Sequence, residues 1–262
     1  MSLTAISVTD THRMFPDTET IWINLYPAKA SQAAPDDPDA EARLRAAIKI
    51  ALDFNDQYTR AHAQRVGMYA ARLARRAGLP LTAVENIRMG GLLHDIGKVA
   101  LDARILHNTN AELSEDMRAK VRAHPQIGVA ILKSLTIDTA VIDCVYYHHE
   151  RLDGSGYPCG LTADNIPLGA KIISVVDCFD AITTDRPYQK GRHPQDALKI
   201  LAQMSGKSLC PELVEVFCED FRQNGLIAGL QDSLPPFPHG TEGLYFPNRQ
   251  TRAESRLARS GL

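Results

Sequence analysis

Between residues 38 and 225, apolar side chains recur at helical spacing, and polar breaks divide the stretch into successive helices. Asp37-Pro38 offers an N-cap followed by a proline at the first helical position, and Leu44, Ala47, Ile48, Ala51 and Leu52 then share a face. A second helix carries Val66, Tyr69, Leu73 and Ala77 and stops at Gly78. Thr82-Ala83-Val84-Glu85 fits a capping box and opens a third helix running towards His94. Ser114 caps a fourth through Val121, with Pro125 forcing a kink or a restart. Residues 136–149 give a fifth helix and 167–185 a sixth, with 150–166 between them as a glycine-rich and proline-rich loop. Pro194 and Pro211 stand where helices begin, and Gly225 where one ends.

Outside this body the pattern fails. Ile21-Trp22-Ile23-Asn24-Leu25-Tyr26 is β-branched and aromatic and ends at Pro27, so it reads as a short strand. Residues 28–39 read as a linker. From residue 226 the chain is proline-rich and then polar, without an apolar face, as in an irregular or disordered tail. The expected fold class is therefore all-α: a helical bundle over 38–225, an extension with some β character over 1–37, and a tail over 226–262.

Composition adds mainly exclusions. The chain has 262 residues with 29 Lys+Arg against 31 Asp+Glu, a formal charge of -2, which argues against DNA or an anionic membrane as a general partner. No run of about 18 uncharged apolar residues is present, and the opening MSLTAISVTDTHRMF has no signal-peptide pattern. The five cysteines include no CxxC pair. Cys144, Cys178 and Cys218 read as small buried hydrophobes in a reducing compartment, so the expected location is the cytoplasm.

The chemistry lies in the histidines. Of nine, His12, His107, His193 and His239 have no special setting, and His193 stands where it would cap a helix. His62, His94, His124, His148 and His149 lie on helical segments with apolar neighbours. Asp95 follows His94, and Asp177 and Asp180 interrupt an apolar helix with i, i+3 spacing, which puts them on one face. Buried imidazoles and carboxylates are costly unless paired or metal-bound. The donor mix suits iron, manganese, zinc or nickel. Five histidines and two aspartates exceed one ion's needs, whereas two ions sharing a carboxylate would use them all. Such pairs hydrolyse phosphate esters with a water of lowered pKa as the nucleophile. Lys98, one turn after His94, is placed to meet a phosphate oxygen.

These segments, in order, resemble the HD-GYP family of HD phosphohydrolases, which cleave cyclic di-GMP. The matching runs are Asp56–His62, Leu93–Lys98, His124–Gly128, His148–Pro158 and Asp177–Tyr188. The resemblance implies that His62, His94, Asp95 and Asp177 hold one divalent ion, and that Asp95 bridges to a second held by His124, His148 and His149. It implies iron or manganese first, with zinc or nickel as alternatives. Lys98 would contact the scissile phosphate, Tyr157 of Gly156-Tyr157-Pro158 would shape the substrate pocket, and Arg186 would face the nucleotide. An ion pair with Asp185 is the competing role for Arg186. Asp180 would orient a ligand without touching metal.

Two departures stand out. Members with a third metal have a glutamate where this chain has Tyr58, and the segment His107-Asn108-Thr109-Asn110-Ala111 replaces a Lys-Pro-Gly turn. The expected activity is a two-metal phosphodiesterase opening cyclic di-GMP to pGpG, with onward cleavage to GMP left open. Two alternatives stand beside it. One is a domain that binds cyclic di-GMP, or docks a cyclase or another signalling protein, without turnover. The other is a hydrolase of pGpG or another nucleotide.

Overall fold

The computed structural model describes residue 47, residues 57–102, residue 105, residues 113–185 and residues 190–225. The expected strand at 21–26, the linker, most of the first helix, the 107–111 segment, Arg186 and the tail lie outside the described residues. So does the Tyr58 side chain. Ala47, from the expected first helix, is helical and fully buried.

Eight α-helices follow among the described residues: α1 Gln57–Arg76, α2 Leu81–Leu93, α3 Glu115–Arg122, α4 His124–Ser134, α5 Thr139–Tyr147, α6 Leu168–Thr183, α7 Pro194–Met204 and α8 Pro211–Asn224. Short 3-10 turns cover Ile96–Ala100 and Ala163–Asn165. There is no strand among the described residues, only isolated bridges such as Asp153 with Thr162, which closes the long loop after α5. The fold is the expected helical bundle.

Most helix ends follow local chemistry. Gly78 takes a positive φ of 78° and stops α1. The Ser114 hydroxyl accepts from Met117 N at 3.2 Å and caps α3. Pro125 sits in the first turn of α4, so it restarts a helix and does not kink one. Three expectations shift. Thr82 does not cap α2, because the helix already begins at Leu81 after an extended Pro80. Glu85 turns forward to Arg88 at 2.6 Å and does not reach back to a cap. α5 begins at Thr139, not 136, because Thr136 is left-handed and the Asp138 carboxylate accepts from Ala140 N at 2.8 Å. His193 occupies the N-cap of α7 without a side-chain capping bond.

The apolar stripe of α6 is the centre of the core. Leu168, Ile172, Ile173, Val175, Val176 and Phe179 are all essentially inaccessible. It packs on α1, α2, α5, α7 and α8. Phe179 meets Tyr69 of α1 edge-on at 5.7 Å and Phe217 of α8 at 4.9 Å. Cys144 and Cys218 are buried as expected, but Cys178 is only partly so, because it flanks the open side of α6 beside Asp177.

The α1–α2 contact is close because Gly91 meets Gly67: a Cβ on Gly91 would lie 3.0 Å from the Gly67 Cα. A second close approach seats the 3-10 turn on the start of α4. A Cβ at Gly97 would overlap the carbonyl oxygen of His124 and stand 2.7 Å from Gly128 N, both of them backbone atoms. Gly97→Ala is therefore expected to lower stability by about 2–3 kcal/mol, as overpacking does. For a domain of this size that is a Tm fall of about 5–10 °C, measurable by calorimetry. An unchanged Tm would show that the turn can withdraw from α4.

Candidate metal centre

Helix ends deliver most of the candidate ligands. The last carbonyls of a helix lack an intrahelical donor. His94 directly follows α2, and its Nδ1 donates to Gly91 O at 2.7 Å. His148 directly follows α5 and donates to Val145 O at 2.8 Å. His124 begins α4 and donates back into the end of α3, to Val121 O at 2.6 Å. A carbonyl can only accept, so each of these rings carries a proton on Nδ1 and turns Nε2 to the interior. His62, inside α1, gets the same tautomer from Asp180, with Nδ1 to Oδ2 at 2.7 Å.

Asp180 does not stand alone behind His62. Arg65 grips it with Nε to Oδ1 at 2.5 Å and Nη2 to Oδ2 at 3.0 Å, and the same Nη2 reaches the Thr184 hydroxyl at 3.1 Å. This fork holds Asp180 ionised: burial opposes the charge, but His62 and Arg65 outweigh it and lower the pKa. Asp177, one turn earlier on α6, lies with Oδ1 3.3 Å from the other nitrogen of His62. The two aspartates of α6 thus take opposite sides of one imidazole, one as its anchor and one as its companion in the pocket.

The inward-facing atoms form two groups. His62, His94 and Asp177 make one; Asp95, His124, His148 and His149 make the other; within each group the donor atoms lie within 4.8 Å of one another. Asp95 joins them. Its Oδ2 is 3.2 Å from His94 Nε2 and 3.9 Å from His62 Nε2, while its Oδ1 faces His124 Nε2 at 3.3 Å.

These contacts test whether cations fit. His62 and His94 bring their Nε2 atoms to 3.3 Å, and so do His124 and His148. His124 and His148 are both held neutral by burial with their protons on Nδ1, so in that couple lone pair faces lone pair, which is unfavourable unless a cation lies between. Asp95 Oδ1 is buried and has no hydrogen-bond partner among the described residues, a vacancy worth about 1–3 kcal/mol if left unmet. Both oddities vanish if divalent ions take those lone pairs. The residues present fit such ions.

Electrostatics agrees with this arrangement. Burial, and then the neighbouring rings, hold His148 well below the usual imidazole range. Burial also lowers His124, and pushes His149 down to about 3. These rings are neutral at pH 7 and ready to ligate. His94 is the exception: burial disfavours its charge, but the Asp95 carboxylate prevails and raises it to about 9. Its second proton sits towards Asp95, where a metal ion would displace it. Asp95 is itself kept well below the usual carboxylate range, because His94 and Lys98 outweigh the cost of burial. Lys98, three residues on along the 3-10 turn, donates to Asp95 Oδ2 at 2.6 Å.

On the open side stands the loop 150–166. Glu150 is buried and accepts from Cys159 N at 2.6 Å and Leu161 N at 2.9 Å. Tyr157 N returns to His149 O at 3.2 Å. These bonds fold the loop back so that the Tyr157 ring stacks on His149, with centroids 4.6 Å apart and planes 30° apart. The Ser174 hydroxyl of α6 binds His148 O and ties the other side of the same turn.

All seven residues expected as metal ligands come together, with Lys98, Asp180 and Tyr157 around them. Arg186 falls outside the described residues. Sequence reading passed over Arg65, Arg122 and the loop-holding role of Glu150. A signal for Arg65 existed: it is three residues after His62 and so shares its helix face.

Comparison with known proteins gives three concordant results. A family model described as HD domain matches residues 47–213. A cyclic di-GMP phosphodiesterase of Pseudomonas aeruginosa is 40% identical over 158 residues, covering 60% of this chain and 38% of that protein. One of Thermotoga maritima is 35% identical over 172 residues, covering 65% and 46%. The chain thus spans less than half the length of these two relatives. Among solved structures, a cyclic GMP-AMP specific phosphodiesterase of Vibrio cholerae superposes with a TM-score of 0.57 at 19% identity, covering 73% of this chain and 51% of that one, which shows the shared fold.

Proposed function

The chain belongs to the HD domain family, and from that premise we propose that it is a phosphodiesterase that opens cyclic di-GMP to linear pGpG with two divalent ions, iron or manganese. The observation that carries the reading is Asp95. One oxygen faces each ligand group, and Oδ1 lacks any hydrogen bond among the described residues. The substrate class follows from the relatives, two of which are named cyclic di-GMP phosphodiesterases.

His62, His94, Asp95 and Asp177 would hold one ion, and Asp95, His124, His148 and His149 the other. Ions held there would draw charge from a phosphodiester and supply the nucleophile by lowering the pKa of water. The chain's own residues do the rest. The Nδ1 anchors on Gly91, Val121, Val145 and Asp180 fix four imidazoles in the ligating tautomer before substrate arrives. Lys98 keeps one donor on Asp95 and has others left for a phosphate oxygen. Tyr157, against His149, walls the pocket on the loop side. Water adds to phosphorus as the P–O3′ bond breaks, and a proton from that water ends on O3′, leaving a 5′-phosphate and a free 3′-hydroxyl. No helix among the described residues is long and apolar enough to cross a membrane, and a cyclic dinucleotide substrate suits work in the cytoplasm.

Purified protein loaded with iron or manganese under reducing conditions should convert cyclic di-GMP to pGpG over many turnovers, resolved by chromatography, and chelation should stop it. Two bound ions with tight cyclic di-GMP binding and no product would instead favour a sensing or docking role.

A further inference from the structure

Arg122 stands out near this site by what its guanidinium rests on. Arg65, Arg72, Arg76, Arg88, Arg118 and Arg222 each face a carboxylate. Arg122 is exposed at the last residue of α3, and no carboxylate among the described residues lies within ion-pair distance of it. Its guanidinium carbon instead stands over the Tyr157 ring, 5.4 Å from the centroid. That ring stacks on His149, and His124 is two residues further along the chain. The guanidinium is therefore set against an aromatic at the edge of the second ligand group, with no carboxylate among the described residues on its N–H fork.

We propose that Arg122 binds the second, uncleaved phosphate of a cyclic dinucleotide. The inference rests on the function proposed above and extends it to the other half of the substrate. A cyclic dinucleotide carries two phosphodiesters on one ring, each with one negative charge. When one lies at the ions, the other is held across the macrocycle and needs a cation of its own. Lys98 is tied to Asp95 and belongs with the scissile group. Arg122 lies on the Tyr157 side and has five donors in a planar fork that matches a phosphate. The ring contact favours this placement of the side chain before binding and so reduces the rotamer freedom lost on binding.

The test compares wild type with Arg122→Ala and Arg122→Lys on two substrates. For cyclic di-GMP, Arg122→Ala should raise KM about 10- to 100-fold, the range for a charged hydrogen bond, with kcat within about threefold. Lysine should recover part of the loss. With bis(p-nitrophenyl) phosphate, a diester holding one phosphate only, the fall in kcat/KM should be at least tenfold smaller. Raising ionic strength should increase the wild-type KM for cyclic di-GMP more steeply than that of Arg122→Ala, since salt screens the phosphate contact. An unchanged KM, an equal loss on both substrates, or equal salt slopes would overturn the role of Arg122 alone. A wild type that cleaves bis(p-nitrophenyl) phosphate but no cyclic dinucleotide would overturn this inference together with the function it rests on.

Discussion

Asp95→Asn should leave the protein folded but unable to keep two ions, with turnover of cyclic di-GMP falling by well over about 100-fold. Groups that merely orient a ligand typically change metal affinity or activity by 10- to 100-fold; Asp95 does more, since its two oxygens serve the two groups separately. The amide has nearly the carboxylate's shape, so packing is kept. It loses the negative charge that raises His94 to about 9 and balances the Lys98 ammonium at 2.6 Å. It also puts an NH2 group, which cannot ligate, towards one of the two groups. Elemental analysis after dialysis should read at most one tightly held ion per chain, beside two in wild type. Thermal unfolding of both metal-free proteins separates this outcome from misfolding. If the variant retains two ions and full activity, Asp95 is no bridge, and the two-ion reading fails with it.

The same residue shows why so much of the centre could be read from the chain. Helices are legible where apolar positions repeat, and a ligand is legible where it breaks that repeat. Asp177 interrupts one of the most apolar helices, and His94-Asp95 closes a run of Met, Gly and Leu. Neither has a packing reason to be there, so chemistry is the reading left. Arg65 and Arg122 escaped because arginine on an amphipathic or terminal helix position is what a solvated surface also looks like. Their meaning comes from residues far along the chain: Arg65 meets Asp180 across 115 positions, and Arg122 meets Tyr157 of a loop folded back by Glu150. Helix starts were misjudged where two local options compete, as when Glu85 pairs with Arg88 and abandons the cap at Thr82.

Lys98→Ala separates holding the ions from using them. The side chain is partly exposed, at 29%, and lies on a 3-10 turn, so its removal leaves the core intact. Taking a cation away from Asp95 cannot weaken the attraction of that carboxylate for metal, so both ions should stay. What is lost is a donor poised where charge builds up on the phosphate oxygens. Removing one such donor in other enzymes costs about 2–4 kcal/mol of barrier, which is about 30- to 900-fold in rate. If Lys98 acts mainly on the transition state, kcat and kcat/KM fall together and KM barely moves. This is the reverse of the KM-dominated loss expected at Arg122, so the two cations can be told apart on one substrate. Steady-state kinetics on protein of verified metal content measures it. An unchanged kcat would confine Lys98 to balancing the charge of Asp95 and remove it from the reaction.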